Sequence, residues 1–382
     1  MARSWSGLFP LVCSWPNLLL AHRRCRRGKR YSPDAAAFEF EWESRLLQMQ
    51  RDLSSLAWWP GPYRHFHISQ PKPRLISAAP FADRVVHHAI VNVLEPLYER
   101  RFIFDSYACR RGKGTHRAIG RAQYYLRRHR WSLKTDIVKF FPSVDHELLL
   151  ERLQRNLRDA ALLELLGRIL NSGVGVFAGE QIYQPFPGDD LFSVLRPVGL
   201  PIGNLTSQFL ANVYLDPLDH FIREQLRVPG YVRYSDDLVL FGDSRQEMWE
   251  YRDAISQYLA GLRLRLHPEK THVAPQGRGV NFLGLHIGVD ERRVLSSTLR
   301  RFSRRIARLQ WLFSQGQVSF SEIASSIQAW VAHCEHANSR GLLRTLLRRI
   351  RFVRGREGSR GDSGEAKNSG SFLQEPGRLD PD

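Results

Sequence analysis

The chain is short of cysteine, of acidic residues and of long apolar runs, and each shortage excludes something. Four cysteines stand in 382 residues, Cys13, Cys25, Cys109 and Cys334, with no paired spacing. That excludes a zinc ribbon and offers no disulfide framework, so reduced thiols are expected. No apolar run approaches the ~20 residues that cross a bilayer. The opening segment, MARSWSGLFPLVCSWPNLLLAHRRCRRGKR, lacks the order of an export signal. Its charge follows the apolar stretch, Trp15-Pro16-Asn17 interrupts that stretch, and no small-residue cleavage site follows. It reads as mature protein ending in a basic patch from Arg23 to Arg30, and the expected location is the cytoplasm. Acids number 38 against 56 Lys and Arg, which leaves a net charge of +18 and a pI near 10.3. A balance that basic points to nucleic acid or an anionic membrane face as partner.

What is present is enough apolar material, 43% of residues, for a sizeable core. There is no internal repeat. Residues 33–57 carry helical spacing with an acidic first turn, and WWPGPYRHFHI is a turn feeding a strand. PKPRLISAAP is a proline-punctuated basic segment. FADRVVHHAIVNVLEPLYERRF repeats Val85, Ala89, Val93 and Leu97 at helical spacing. Trp131 to Phe141 predicts a strand that runs into Pro142, followed by a helix with Asp145 as its N-cap. Residues 171–190 read as loop. NLTSQFLANVYLDPLDHFIREQL reads as a helix containing Pro217, and residues 246–262 as another. HCEH at 333–336 invites a metal reading, but Cys334 falls on the apolar side of an amphipathic helical pattern, so packing accounts for it.

The C-terminal part changes character. Leu299, Phe302, Ile306, Leu309 and Phe313 form one helical stripe, while Arg301, Arg304, Arg305 and Arg308 take the opposite side. Two more stripes follow, and residues 300–356 hold twelve arginines against two acids. One basic helix face is ordinary solvated surface. A set of apolar-backed helices this rich in arginine describes a surface that tracks a phosphate backbone. From about Gly355 the composition predicts disorder.

YVRYSDDLVLF, residues 231–241, sets two carboxylates side by side between strand-forming flanks, with no Gly or Asn in the turn. An Asp-Asp pair in a hairpin is usually solvated turn chemistry. Here the flanks predict burial, and two adjacent carboxylates repel unless a cation, a base or bulk water intervenes. Magnesium suits such a pair, since it takes one or two carboxylates plus substrate phosphates. A second metal needs a further carboxylate on a rigid element. Asp136, in the predicted strand 131–141, carries the same unexplained cost of burial.

As a set, the segments at 72–84, 136–141, 199–214, 231–241 and 266–287 resemble reverse transcriptases in order and spacing. YSDD resembles the family's Tyr-x-Asp-Asp turn, and TDIVKFF its first aspartate motif. RLISAAPFADRVVHHAI and SYACRRGKGTHRAI resemble the fingers of bacterial retroelement enzymes, and NFLG the primer-contacting turn. The resemblance covers roughly residues 15–350. It implies an α+β right-hand polymerase: N-terminal extension and fingers over 1–130, a palm with an antiparallel sheet over 131–296 (with an insertion near 171–198), a helical basic thumb over 297–354, and a tail over 355–382.

The resemblance also implies roles. Asp136, Asp236, Asp237 and the Ile137 carbonyl match ligands for two Mg²⁺ ions, with Mn²⁺ a substitute. Lys72 and Arg74 match triphosphate contacts, for which an arginine fork suits phosphate oxygens. Phe141 matches the gate against a ribose 2′-hydroxyl, and Lys270 a proton donor to the leaving pyrophosphate. Phe282, Leu283 and Gly284 match the primer contact. In GLPIGNLTSQF, Ile202-Gly203 stands where most members have Gln-Gly, and Ser207-Gln208 where they have Ser-Pro. That double departure resembles the enzymes of diversity-generating retroelements, which copy a template-repeat RNA with misincorporation at adenines. Ile202 fills volume without a hydrogen bond, and a site with fewer polar constraints rejects a wrong base less strongly. Ile202 also reads as plain packing in a faithful enzyme. Template RNA, primer and cDNA, dNTPs and a small basic accessory protein are the implied partners. Retron, phage-defence and group II intron-like enzymes of ordinary fidelity are the alternatives, and a catalytically inactive RNA-binding protein is the alternative of another class. A group II intron protein is expected to carry a maturase region after the thumb, whereas the ordered pattern here ends near 354.

Overall fold

A computed structural model of the chain describes residues 4–29, 32–68, 73–179 and 185–353. Lys72 and the tail expected from 355 lie outside the described residues. Four helices open the chain: α1 (Phe9–Cys13), α2 (Trp15–Arg26), α3 (Pro33–Phe40) and α4 (Trp42–Ser54). The helical spacing over 33–57 is therefore divided, with Glu41 leaving helical geometry between the two halves. β1 (Arg64–Ile68) and β2 (Arg74–Ala78) form an antiparallel pair, so the proline-punctuated segment becomes a strand once Pro73 is passed. α5 (Phe81–Tyr98) follows as a largely buried helix that tolerates Pro96 in its last turn. α6 (Thr115–Leu126) then leads into β3 (Trp131–Asp136).

β3 ends at Asp136 instead of running to Phe141. The apolar residues beyond it promised more strand, but Ile137 bridges to Leu266 and Val138 N–H bonds the Arg265 carbonyl. Lys139 is left-handed at φ 42°, and the chain then turns into the short helix α7 (Phe140–Ser143). α8 (His146–Asn156) is capped by the Asp145 side chain, which accepts from Leu148 N–H at 3.0 Å as expected. α9 (Ala160–Asn171) precedes the insertion, where residues 191–195 form a 3₁₀ turn. α10 (Leu205–His220) carries Pro217 near its end and passes into one π-helical turn over Phe221–Gln225. The missing proline N–H and the widened turn are local adjustments of one helix.

β4 (Gly230–Tyr234) and β5 (Asp237–Gly242) form the hairpin, α11 (Arg245–Gly261) follows, and β6 (His272–Pro275) completes a four-stranded antiparallel sheet in the order β4-β5-β3-β6. β7 (Val280–Phe282), β8 (Leu285–Ile287) and β9 (Arg292–Val294) make a second antiparallel sheet. Three helices close the described chain: α12 (Ser296–Ser314), α13 (Phe320–Cys334) and α14 (Arg340–Arg348). Period-two alternation gives the four-stranded sheet two apolar faces. Leu133, Tyr231, Leu238 and Leu240 pack with the N-terminal helices, α5 and α8 to α11. Val232, Val239 and Phe241 pack with α6, the small sheet and the last helices, including the buried Cys334. The result is the α+β arrangement that the sequence implies, with the hairpin turn at one end of a sheet clamped on both sides.

Candidate active site

The hairpin pairs Tyr234 with Asp237, which leaves Ser235 and Asp236 as a two-residue loop. Ser235 takes φ 57°, a left-handed conformation that costs an L-residue something. Two contacts hold the loop there. Arg233 is fully buried and donates to the Ser235 carbonyl at 3.2 Å, and Ile137 N–H donates to the Asp236 carbonyl at 3.3 Å. Arg233 in turn grips Asp219, also fully buried, through two hydrogen bonds of 2.7 and 2.6 Å, and reaches Asn212 at 3.1 Å. Burial works to lower the basicity of Arg233, and the charge and hydrogen bonds of Asp219 more than reverse it. On its other edge β5 pairs with β3, and the register sets Asp136 opposite Asp237. Three carboxylates from two strands and a turn therefore share one end of the sheet.

Two lysines meet two of them. Lys134 Nζ lies 3.0 Å from Asp237 Oδ1, and Lys270, at the end of a 3₁₀ turn over Pro268–Lys270, donates to Asp136 Oδ2. Asp236 is pushed up to about 6, by burial first and then by the charges of Asp136 and Asp237. A carboxyl so placed resists ionisation until positive charge arrives. Among the described residues no three His, Cys, Asp or Glu side chains form a ready-made metal cage. The donor set, hard carboxylate oxygens only, instead fits a magnesium-like ion that completes its shell with water and substrate phosphates.

The other predicted residues fall into two groups around this end. Phe141 is half-buried against the core, in edge contact with Phe140 at 5.4 Å, and its carbonyl accepts from Leu200 N–H at 2.8 Å. Two residues on, the Ile202 carbonyl accepts from Ser77 N–H of β2 at 2.9 Å. Gly203, at φ 120°, presses on the same strand: a Cβ there would stand 2.9 Å from Ile76 Cγ2. Buried Asn204 completes the clasp, donating to the Ser77 carbonyl at 2.9 Å and accepting from Ala79 N–H at 3.2 Å. Arg74 is exposed at the start of β2, and Gln208 is exposed one turn into α10. The second group begins at the β7–β8 turn, where Leu283 and Gly284 both take positive φ, 49° and 85°, the geometry that suits a two-residue hairpin. Phe282 is buried beneath it. The Gly284 carbonyl accepts from Leu295 N–H and Thr298 Oγ1, both at 3.2 Å, so the turn is tied to the start of α12. On that helix Arg304, Arg305 and Arg308 are exposed and Arg301 is half-buried.

Five residues that shape the site stand outside the expectations drawn from sequence. Lys134 was detectable, since it lies two residues before Asp136 and so on the same strand face. Arg233 was detectable too, as a lone charge inside an apolar strand. Asp219 and Asn204 gave no local signal. Thr115, whose hydroxyl donates to Tyr234 OH at 3.1 Å, gave none either.

The sequence model of the family described as reverse transcriptase (RNA-dependent DNA polymerase) matches residues 68–287. Protein YkfC of Escherichia coli (strain K12) is 26% identical over 318 residues, covering 69% of this chain and 79% of YkfC. Group II intron-encoded protein LtrA of Lactococcus lactis subsp. cremoris is 25% identical over 183 residues, covering 47% of this chain and 28% of LtrA. Nuclear intron maturase 1, mitochondrial, of Arabidopsis thaliana is 31% identical over 134 residues, 34% of this chain and 18% of that one. The matched stretch contains β2, the β3 aspartate, the α10 motif, the Ser235–Asp236 loop and the β7–β8 turn, and on that match the chain belongs to the reverse transcriptase family.

Proposed function

We propose that the chain synthesises cDNA on an RNA template with Asp136, Asp236 and Asp237 as its metal-binding carboxylates. The observation that carries this is the register of β3 on β5, which brings Asp136 opposite Asp237 beside the Asp236 loop. Bound Mg²⁺, or Mn²⁺ in its place, would lower the pKa of the primer 3′-hydroxyl and neutralise charge on the triphosphate. The protein groups do the rest. Arg74, with Lys72, grips triphosphate oxygens, and the Phe141 ring bars a 2′-hydroxyl. Lys270, held at Asp136, donates a proton to departing pyrophosphate. The Phe282–Gly284 turn supports the primer, and Arg301, Arg304, Arg305 and Arg308 follow the phosphate backbone. The test is incorporation of dNTPs on a primed RNA template, supplied with the chain's own template RNA and accessory protein. Absence of extension with either metal ion would overturn the proposal.

Asp236 gives the site a definite pH dependence. At limiting Mg²⁺ the extension rate is expected to rise through about pH 6, as that carboxyl ionises. Proton and metal compete for it, so added Mg²⁺ should move the midpoint to lower pH. For stability the sign is opposite. A carboxyl raised on folding favours the native state below pH ~4, and that contribution is lost as pH rises through about 6. A midpoint indifferent to Mg²⁺ would remove Asp236 from the metal site.

The finer reading is a diversity-generating enzyme that misincorporates at adenines of a template-repeat RNA. Ile202 supports it, because its backbone is held by Ser77 while its half-buried side chain offers no polar atom. Ile202→Gln is expected to lower adenine misincorporation several-fold without changing the rate on other bases. An unchanged error spectrum, read by sequencing cDNA, sinks this reading. A group II intron-like enzyme of ordinary fidelity is the second reading, favoured by similarity to an intron-encoded protein and to an intron maturase. A low error rate in the wild-type protein selects it. Among the described residues no helix is long and apolar enough to cross a membrane.

A further inference from the structure

Lys134 carries a charge into the middle of a sheet. It sits on β3, an inner strand paired with β5 on one edge and β6 on the other, between the fully buried Leu133 and Thr135. Its own side chain is only 23% exposed. Lysine is a poor strand former, and an ammonium so largely covered needs an anion. The anion it has is Asp237, whose Oδ1 lies 3.0 Å from Nζ. The register makes the pair a diagonal one. Lys134 stands directly opposite Val239, and Asp237 lies two residues along β5, on the same face and opposite Asp136. That diagonal, ~7–8 Å between strands, is within a lysine's reach.

Two features set this pair apart from an ordinary surface ion pair, which contributes little to stability. First, it does not stand alone. Lys270 pairs with Asp136 in the same way, from the 3₁₀ turn before β6. Three carboxylates at one end of a sheet repel one another, and two ammoniums anchored on the fold offset that repulsion. Second, Lys134 draws on a carboxylate that a metal ion would also use. With Nζ 3.0 Å from the oxygen and a magnesium-like ion ~2 Å from it, the two cations would stand ~5 Å apart. Their repulsion weakens metal binding on the order of tenfold even with the full screening of water.

We propose that Lys134 is a resident counter-cation for Asp237: it holds that carboxylate in place before a metal ion binds, and it competes with a divalent ion for it. The inference rests on the reading of Asp136, Asp236 and Asp237 as metal ligands. Lys134 acts through Asp237 and is therefore a positioning residue. Its effect is to let the sheet end keep its shape without metal and to keep metal affinity low. A divalent ion is then held firmly only when further negative charge, such as triphosphate oxygens, joins the site.

The test uses the full chain with Mn²⁺ alone, without primer or dNTP, and reads free Mn²⁺ by electron paramagnetic resonance. Lys134→Met keeps the stem and removes the charge, and it is expected to bind Mn²⁺ about tenfold more tightly than wild type. Lys134→Gln should do the same, which covers a failure of Lys134→Met to fold. Lys134→Arg keeps the charge and should stay within roughly twofold of wild type. In EDTA, Lys134→Met should unfold at a lower temperature than wild type, and saturating Mn²⁺ should erase that deficit. Asp236→Asn tests the metal-ligand reading separately, since it should lose the Mn²⁺ site. Wild-type Mn²⁺ binding by Asp236→Asn would overturn that reading. Loss of the site in Asp236→Asn, together with no tightening in Lys134→Met and Lys134→Gln, would overturn the counter-cation alone. So would equal tightening in Lys134→Arg.

Discussion

Asp236→Asn is expected to lose cDNA synthesis by at least about a thousandfold while the protein becomes no less stable. The two halves of that result have one cause. Asp236 sits in the loop between β4 and β5, where burial and the charges of Asp136 and Asp237 oppose its ionisation. Replacing the carboxylate with its neutral isostere removes an ionisation penalty, from burial first and repulsion second, of about 3 kcal/mol at neutral pH. On the proposed function, the same change removes a negative ligand at the point where positive charge must be held against a triphosphate, a loss of ~4 kcal/mol in the transition state. Thermal unfolding and primer extension, measured on one preparation, check both halves. Retention of a tenth or more of the extension rate would place the chemistry elsewhere.

The second large effect concerns Arg233. Arg233→Ala should cost about 3–5 kcal/mol of stability, because it strands the fully buried Asp219 carboxylate without its partner. Tyr231 OH, which donates to Asp219 at 2.8 Å, cannot replace a guanidinium charge. Joint replacement, Arg233→Met with Asp219→Leu, should recover most of that stability, since an apolar pair of similar volume suits the site. Extension should stay impaired even so, because the Ser235 carbonyl has lost its donor and the left-handed loop its brace. Urea denaturation and extension kinetics on the two variants separate the effects. Full recovery of activity in the joint variant would reduce Arg233 to a packing role.

Some of this was legible in the chain and some was not. The hairpin was, because strand-forming flanks on both sides of an Asp-Asp pair allow few local structures. The helical stripes of α12 and α13 were as well, since a 3.6-residue period needs no tertiary information. The end of β3 was not. The apolar run Ile137 to Phe141 continues a strand pattern, and what stops it is pairing with Leu266 and Arg265, far away in sequence. Asn204 lies inside the motif that looked informative, yet its work is done on Ser77 and Ala79. Nothing local separates a clasp from a helix cap at that position. Arg233 stands inside YVRYSDDLVLF, where the two aspartates by themselves suffice to explain the segment. A charge in an apolar strand asks for a partner as insistently as a carboxylate pair asks for a cation.

The β7–β8 turn has a mechanical consequence. Its Gly284 carbonyl accepts from Leu295 N–H and Thr298 Oγ1, and His333 of α13 stands 3.2 Å from where a Cβ on that glycine would be. The turn is thus wedged between a sheet that shares its core with the Asp-Asp hairpin and two helices, of which α12 carries exposed arginine. Levering those helices outward would drag the turn with them. A strand resting on the turn would feel any widening of the arginine surface as a shift of its own end, so grip width and end alignment would travel as a single degree of freedom.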